Sequence, residues 1–369
     1  MLWQANNPTH IVFGERALKS QGSLLKGLGK RVLVVTGQGG SAQRNGAQDD
    51  VIKAFKSAGI SKHAVFAEVE PNPSVHTLRR GAQAAQEIKA DIIVAIGGGS
   101  PMDAAKGIAV LALEDLSEEA LFELRYRKAL PIVAVPTTAG TGSEVTGSAI
   151  ISSPLYQNKK NIGGPLLYPR IAFLDPRYTY DNPRQLTLDT ALDAYAHALE
   201  SYLAFRSNPI SDTYSLRSLG IMGECLHMLS EAREYTPKER ERLLLGSLLS
   251  GLAISITGVS MPHGMSYPLT YNRDIPHGRA LSYIIPAWMS WIMRVSRNQR
   301  MQNALRASGF NTLAEMEGLL RALGGVAPKL SEQEREQYLQ LTLDSKNVFN
   351  GVVFPQREDV KALLDDIFQ

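Results

Sequence analysis

A few residue types at suggestive spacings locate the chemistry of this chain. Asp193 and His197 lie four residues apart in a stretch of helical period. Both side chains therefore project from one face, about a turn apart. His263 and His277 each stand between a proline and a glycine, in Pro262-His263-Gly264 and Pro276-His277-Gly278, a setting read here as turns. One carboxylate and three imidazoles form a donor set for a divalent first-row metal, either iron(II) or zinc(II). The same residues also have plainer readings, an Asp–His ion pair on a helix and two ordinary turns. Asp189 shares the stripe of Asp193 and is the rival carboxylate. Glu200, a turn beyond His197, is placed to orient a ligand from behind.

Two further segments suggest nucleotide binding. Gly97-Gly98-Gly99-Ser100-Pro101 follows a buried strand and opens a helix. Glycines there admit a pyrophosphate close to the backbone, and the helix start supplies free N–H groups. The pattern is GGGSPMD, so the G-x-G-x-x-G fingerprint is absent. The segment 136–146 follows another buried strand and carries Thr137, Thr138, Thr141, Ser143 and Thr146 with two glycines. Two donor-rich loops at neighbouring strand ends point to a nucleotide site more strongly than either does alone.

The elements that must hold these residues change along the chain. Residues 31–36, 64–69, 92–96 and 132–135 read as buried strands, alternating with helical stretches at 49–58, 75–88 and 101–113. That alternation predicts a doubly wound α/β domain with ligands at the strand C-termini. From about residue 187 strand patterns vanish. Helical period runs through 188–204, 211–230, 238–256, 280–294, 313–323 and 331–344. Two domains are expected, an α/β domain over 1–180 and an all-helical domain over 181–369.

Composition narrows the function class. The 369 residues are 44% hydrophobic and 20% charged, which excludes global disorder. A net charge of +3 without a dense basic block gives no footing for nucleic acid. The single cysteine, Cys225, lies in an apolar helical pattern and reads as a buried thiol. Residues 1–10 lack the pattern of a secretory leader, so a cytoplasmic setting is expected. The uncharged run 243–261 is long enough to span a bilayer. Its serines and glycines, and its continuation into a polar turn at residue 262, read instead as a buried helix of a soluble domain.

Five segments together resemble the iron-containing (group III) alcohol dehydrogenase family. They are GGGSPMDAAK at 97–106, PTTAGTGSEVT at 136–146, FLDPRY at 173–178, DAYAH at 193–197 and PHG at 276–278. The resemblance extends over nearly the whole chain. It implies a dehydroquinate synthase-like fold, with a dinucleotide domain, a helical domain and a metal in the cleft between them. It assigns Asp193, His197, His263 and His277 as metal ligands, with iron(II) favoured over zinc(II). It places the cofactor on Gly37, Gly39, Gly40, Ser41, Asn72, Gly98, Gly99, Ser100, Asp103, Thr137, Thr138, Thr141, Ser143, Leu174 and Lys159, with Lys160 adjacent to the last. Asp103 and Tyr267 are the implied catalytic candidates. A homodimer acting on a small aldehyde or primary alcohol, away from membranes, completes the expectation.

Three departures from the family pattern are visible. Gly37 stands where NAD-preferring members carry an aspartate, and Arg44 is nearby. Without the acid, a 2′-phosphate is tolerated, so NADP(H) is expected. Tyr267 replaces a histidine, and its free pKa near 10 leaves a choice between proton relay and packing. Ala191 replaces a glycine. A zinc- and NAD-dependent glycerol dehydrogenase-like enzyme is one alternative, opposed by Gly37. A dehydroquinate synthase-like lyase is another. It would need a basic cluster, for which only Lys159, Lys160 and Arg279 offer themselves. A maleylacetate reductase-like enzyme is metal-independent, and the intact ligand set argues against it.

Overall fold

The computed structural model describes residues 2–296 and 298–369. The chain divides into two units. One comprises Asn7–Asn182 with Tyr235–Leu244, and the other comprises residues 2–6, Pro183–Glu234 and Leu245–Gln369.

The first unit is built on six strands. They are β1 (His10–Phe13), β2 (Arg31–Gly37), β3 (Lys62–Val69), β4 (Ile92–Gly97), β5 (Ile132–Pro136) and, further along, β8 (Ile171–Leu174). The apolar runs β2, β4, β5 and β8 are buried, and the edge strands β1 and β3 are more exposed. They form one parallel sheet in the order β1-β8-β5-β4-β2-β3. Between β5 and β8 comes an antiparallel hairpin of β6 (Ile150–Ser153) and β7 (Asn158–Asn161). The helices are α1 (Ala17–Gln21), α2 (Ser41–Arg44), α3 (Ala47–Ala58), α4 (Val75–Glu87), α5 (Gly99–Leu111) and α6 (Glu118–Phe122). Val32, Val34, Ile92, Val94, Val133, Val135 and Phe173 meet the α1 and α3 residues Leu18, Val51 and Phe55 in one core layer.

Strand order decides where a ligand can sit. The chain leaves β2 for β3 on one side, and leaves β4 for β5 on the other. The order therefore reverses between the adjacent strands β2 and β4, and a crevice opens at their C-termini. Gly37 ends β2 and Gly97 ends β4, so both glycines border that crevice.

The second unit is helical: α7 (Arg184–Tyr202), α8 (Pro209–Ser230), most of α9 (Pro237–Thr257), α10 (Met261–Arg273), α11 (His277–Val295), α12 (Gln299–Ala307), α13 (Leu313–Gly324), α14 (Glu332–Leu343) and α15 (Arg357–Ile367). The run 243–261 is not one span. It ends at Gly258, where the backbone turns left-handed (φ 74°), and α10 begins three residues later. Leu243, Leu244, Leu248 and Ala253 are buried. Among the described residues no single helix is long and apolar enough to cross a membrane.

Two sequence expectations need correction. The polar turn expected at residue 262 is the first turn of α10, and residue 277 likewise opens α11. The reason is the proline before each histidine. Its fixed φ suits a helix start and its missing N–H costs nothing there. The strands β1, β8 and the β6–β7 hairpin, and the helices α10, α12 and α15, were not expected. The strands are only four residues each, too short to show a period.

Candidate metal centre and dinucleotide site

The four expected ligands come together in the helical unit. Asp193 and His197 lie one turn apart on α7, His263 in the first turn of α10, and His277 at the first position of α11. The Nε2 atoms of His197, His263 and His277 lie 3.5, 3.6 and 3.7 Å from the same atom, Asp193 Oδ1. These separations exceed a good hydrogen bond. They are close to the edge of a tetrahedron with ligand bonds of about 2.1 Å, roughly 3.4 Å. Asp193 Oδ1 and His263 Nε2 are buried and have no hydrogen-bond partner. Two buried polar atoms that face each other at 3.6 Å without a hydrogen-bond partner fit a site for a cation held between them. The donor atoms of Asp193, His263 and His277 all lie within 4.8 Å of one another. His197 joins through Asp193, and its ring stacks on His263 at 4.7 Å.

The surroundings prepare these nitrogens as ligands. His263 Nδ1 donates to Glu200 Oε1 at 2.5 Å, and Glu200 Oε2 accepts from Ser260 N and Ser260 Oγ. His277 Nδ1 is 3.3 Å from Ser266 Oγ, whose own proton goes to the His263 carbonyl. With Nδ1 protonated on both rings, each Nε2 keeps its lone pair for a metal. Burial opposes a charge on His263, yet Glu200 and Asp193 raise its pKa to about 9. Burial also opposes the Asp193 carboxylate, but the three imidazoles hold it well below the usual range. The carboxylates that favour a proton on His263 favour a divalent cation for the same reason.

The rival carboxylate is committed elsewhere. Asp189 accepts two hydrogen bonds of 3.1 Å from Arg279 and a third from Gln185. Gly278 sets the helix spacing here. A methyl group there would collide with the Asp189 carbonyl, so a glycine lets α11 start against α7 and brings His277 to Asp193. Tyr267, one turn after His263, stacks on His277 at 5.8 Å and meets His263 edge-on. His277 is the ligand with a partly exposed side chain, 24% against 2–7% for the other three.

The strand ends of the α/β unit carry the residues expected to hold a dinucleotide. Gly97 has φ +150°, and Gly98 and Gly99 face Thr138 and Thr141 so closely that a methyl would lie 2.9 and 2.7 Å from their side chains. Asn72, in left-handed backbone after β3, donates its N–H to Ser100 Oγ. Its side-chain oxygen accepts from Lys159 Nζ at 3.0 Å. Lys160, the neighbouring alternative, instead lies over the Tyr156 ring at 3.6 Å. Leu174 ends β8, Gly39 and Gly40 lead into α2, and Ser41 is its first residue. Asp103 faces the threonine loop, accepting from Ser143 Oγ at 2.7 Å and Ile150 N at 2.9 Å. Sequence reasoning missed Ser260, Ser266 and Lys106. The signal for Ser266 was its place one turn after His263, and for Lys106 a lone charge in the apolar stretch 104–113.

Comparison with known proteins gives the family. Residues 8–176 match the family description "Iron-containing alcohol dehydrogenase", and residues 187–367 match the C-terminal part of the same family. The chain belongs to the iron-containing alcohol dehydrogenase family. It is 35% identical to the 1,3-propanediol dehydrogenase of Citrobacter freundii, over 76% of this chain and 72% of that one. It is 32% identical to long-chain-alcohol dehydrogenase 1 of Geobacillus thermodenitrificans, over 85% and 80% of the two chains. The crystal structure of an iron-containing alcohol dehydrogenase from Thermotoga maritima superposes with a TM-score of 0.90 at 34% identity, covering 100% of this chain and 99% of that one. The fold is that of the family, a parallel α/β unit followed by a helical one, and the family binds a divalent metal and a nicotinamide cofactor. Neither the lyase nor the glycerol dehydrogenase alternative is favoured by these relatives.

Proposed function

We propose that this chain interconverts a small primary alcohol and its aldehyde by hydride transfer with NADP(H). Asp193, His197, His263 and His277 hold the divalent cation, iron(II) in preference to zinc(II). The observation that carries this reading is the convergence of three imidazole Nε2 atoms on one partnerless carboxylate oxygen. Bound there, the cation supplies Lewis acidity toward an alcohol or carbonyl oxygen, and the nicotinamide ring takes or gives the hydride. Glu200 and Ser266 engage Nδ1 of His263 and His277 and so orient the two rings with Nε2 toward the cation. Three neutral imidazoles and one carboxylate leave a net charge near +1, which favours an oxygen anion over a neutral one.

Support for NADP(H) comes from the end of β2. Gly37 presents no carboxylate to the ribose. Its sheet partner Val69 is followed by Glu70, whose carboxylate is taken by Ser74 N, Ser74 Oγ and Thr77 Oγ1. Partial burial acts the other way, yet these donors hold Glu70 below the usual carboxylate range. The exposed Arg44 lies over the turn, bonded to the Gly39 carbonyl at 2.6 Å. An arginine there favours a 2′-phosphate.

The test is anaerobic. Initial rates are followed with NADPH and NADH separately, using the iron(II)-loaded protein and a series of short aldehydes. NADPH should be preferred, and the fastest aldehyde narrows the substrate. Equal or greater use of NADH would remove the argument from Gly37 and Arg44.

A further inference from the structure

Lys106 is a buried cation that the chemistry above does not use. It lies on α5, two turns from the glycine turn, with no exposed surface. Its Nζ donates to Ser143 O at 2.8 Å, Ser143 Oγ at 2.6 Å and Ser148 O at 2.6 Å, with Thr146 Oγ1 at 3.4 Å. An ammonium has three protons, so these four acceptors saturate it. Asp103, one turn earlier on α5, lies 3.9 Å from that Nζ and accepts from Ser143 Oγ and Ile150 N. Ser143 Oγ thus accepts from the lysine and donates to the aspartate.

The consequence is mechanical. Residues 143–150 are tied to α5 through two charged side chains. The earlier half of the loop is tied to the same helix start, because Thr137 N donates to Gly97 O and Thr138 and Thr141 press on Gly98 and Gly99. Both halves of the hydroxyl-rich loop are therefore referenced to the helix whose first turn follows β4. A loop carrying five hydroxyls would otherwise sample many arrangements, and ordering it on binding would cost affinity.

We propose that Lys106 is a positioning residue for the dinucleotide. It clamps the 137–150 loop onto α5, so that Thr138 and Thr141 stay fixed over the Gly98-Gly99 turn before the ligand arrives. It touches no part of the ligand and acts through Ser143 and the loop carbonyls. This inference rests on the reading of residues 97–100 and 137–146 as the dinucleotide site.

Lys106→Met keeps the stem and removes the three donors. In the full-length chain, NADPH is titrated by isothermal calorimetry, alongside iron content, kcat at saturating NADPH and amide hydrogen exchange. The clamp predicts a dissociation constant and KM for NADPH raised about tenfold or more, the scale of a few charge-assisted hydrogen bonds. It also predicts a kcat changed by less than about threefold. Exchange should rise in 137–150, with iron content unchanged. Ser143→Ala leaves both charges and the backbone in place and serves if Lys106→Met does not fold. Because Ser143 itself is expected at the dinucleotide, its readout is also faster amide exchange across 137–150 in the ligand-free chain, which loss of a ligand contact alone would not give. An unchanged NADPH affinity in either folded variant overturns the proposal, as does a loss confined to kcat or thermal stability. If the wild-type chain binds neither NADPH nor NADH, the reading of the dinucleotide site itself fails and the clamp falls with it. A wild type that binds beside a variant that binds equally removes the clamp alone.

Discussion

The strand-end site and the metal centre are built on opposite principles. At the strand ends the working groups are backbone N–H groups, glycines and short hydroxyl side chains on loops. A buried Lys106–Asp103–Ser143 network holds them in place. In the helical unit the working groups are four side chains from three helices, oriented by Glu200 and Ser266. The first site depends on where the backbone runs, so its key residues fall in short runs at the strand ends, such as 97–100 and 137–146. The second depends on where separated helices meet, so its key residues span 193–277. Damage to the first should appear as altered ligand affinity and selectivity. Damage to the second should appear as loss of the metal and of the reaction.

The largest effect is expected from His263→Ala, which removes a ligand at the centre of the cluster. It should lose bound metal and reduce turnover by about a thousandfold or more, with NADPH binding retained. Metal content and activity like wild type would remove the ligand assignment. Gly37→Asp tests the other site. A Cβ there meets Pro101 and Val69 at ordinary contact distances of 3.5 and 3.7 Å, so the fold should accept it. The ratio of kcat/KM for NADPH over NADH should fall by about a hundredfold, with iron content unchanged. Glu200→Gln removes the carboxylate behind His263 and should weaken iron binding by about 10–100-fold, read by competition with a chelator. Tyr267→Phe separates relay from packing. Stacking on His277 predicts a kcat within about threefold of wild type, under about 1 kcal/mol of barrier. A large loss with an altered pH profile would restore the relay.

The smallest effect concerns stability. Glu144, in the threonine loop, is buried, and that burial raises its pKa from 4.5 to about 7. The unfolded chain ionises this group near its ordinary value, whereas the folded chain resists until about pH 7. Stability linked to this group is therefore lost as pH rises through that window, and the loss is complete above it. Glu144→Gln should be more stable than wild type by about 1–3 kcal/mol at pH 8, and the gain should shrink toward pH 5. Matched thermal melts at the two pH values check it.

The same contrast explains what the sequence revealed. The strands β2, β4 and β5 and the Gly97–Gly99 turn are local patterns, legible without a fold. The four candidate ligands were legible as residue types with chemical sense, but residue spacing alone could not choose Asp193 over Asp189. That choice is made by Arg279, ninety residues from Asp189 in sequence, which occupies the rival carboxylate. The Pro-His-Gly segments were misread as turns, because a proline before a helix and a proline in a turn look alike in one dimension. Lys106 was passed over because its partners, Ser143 and Ser148, meet it only after the sheet has formed.

On the reading proposed above, Asp193, His197, His263 and His277 hold the metal on which the reaction depends. The most direct measurement strips the protein of metal, adds iron(II) back anaerobically, and follows bound iron and NADPH oxidation by a short aldehyde on the same samples. About one iron per chain is expected, with activity rising in proportion and abolished by a chelator. Full-rate NADPH oxidation by the metal-stripped chain would contradict it.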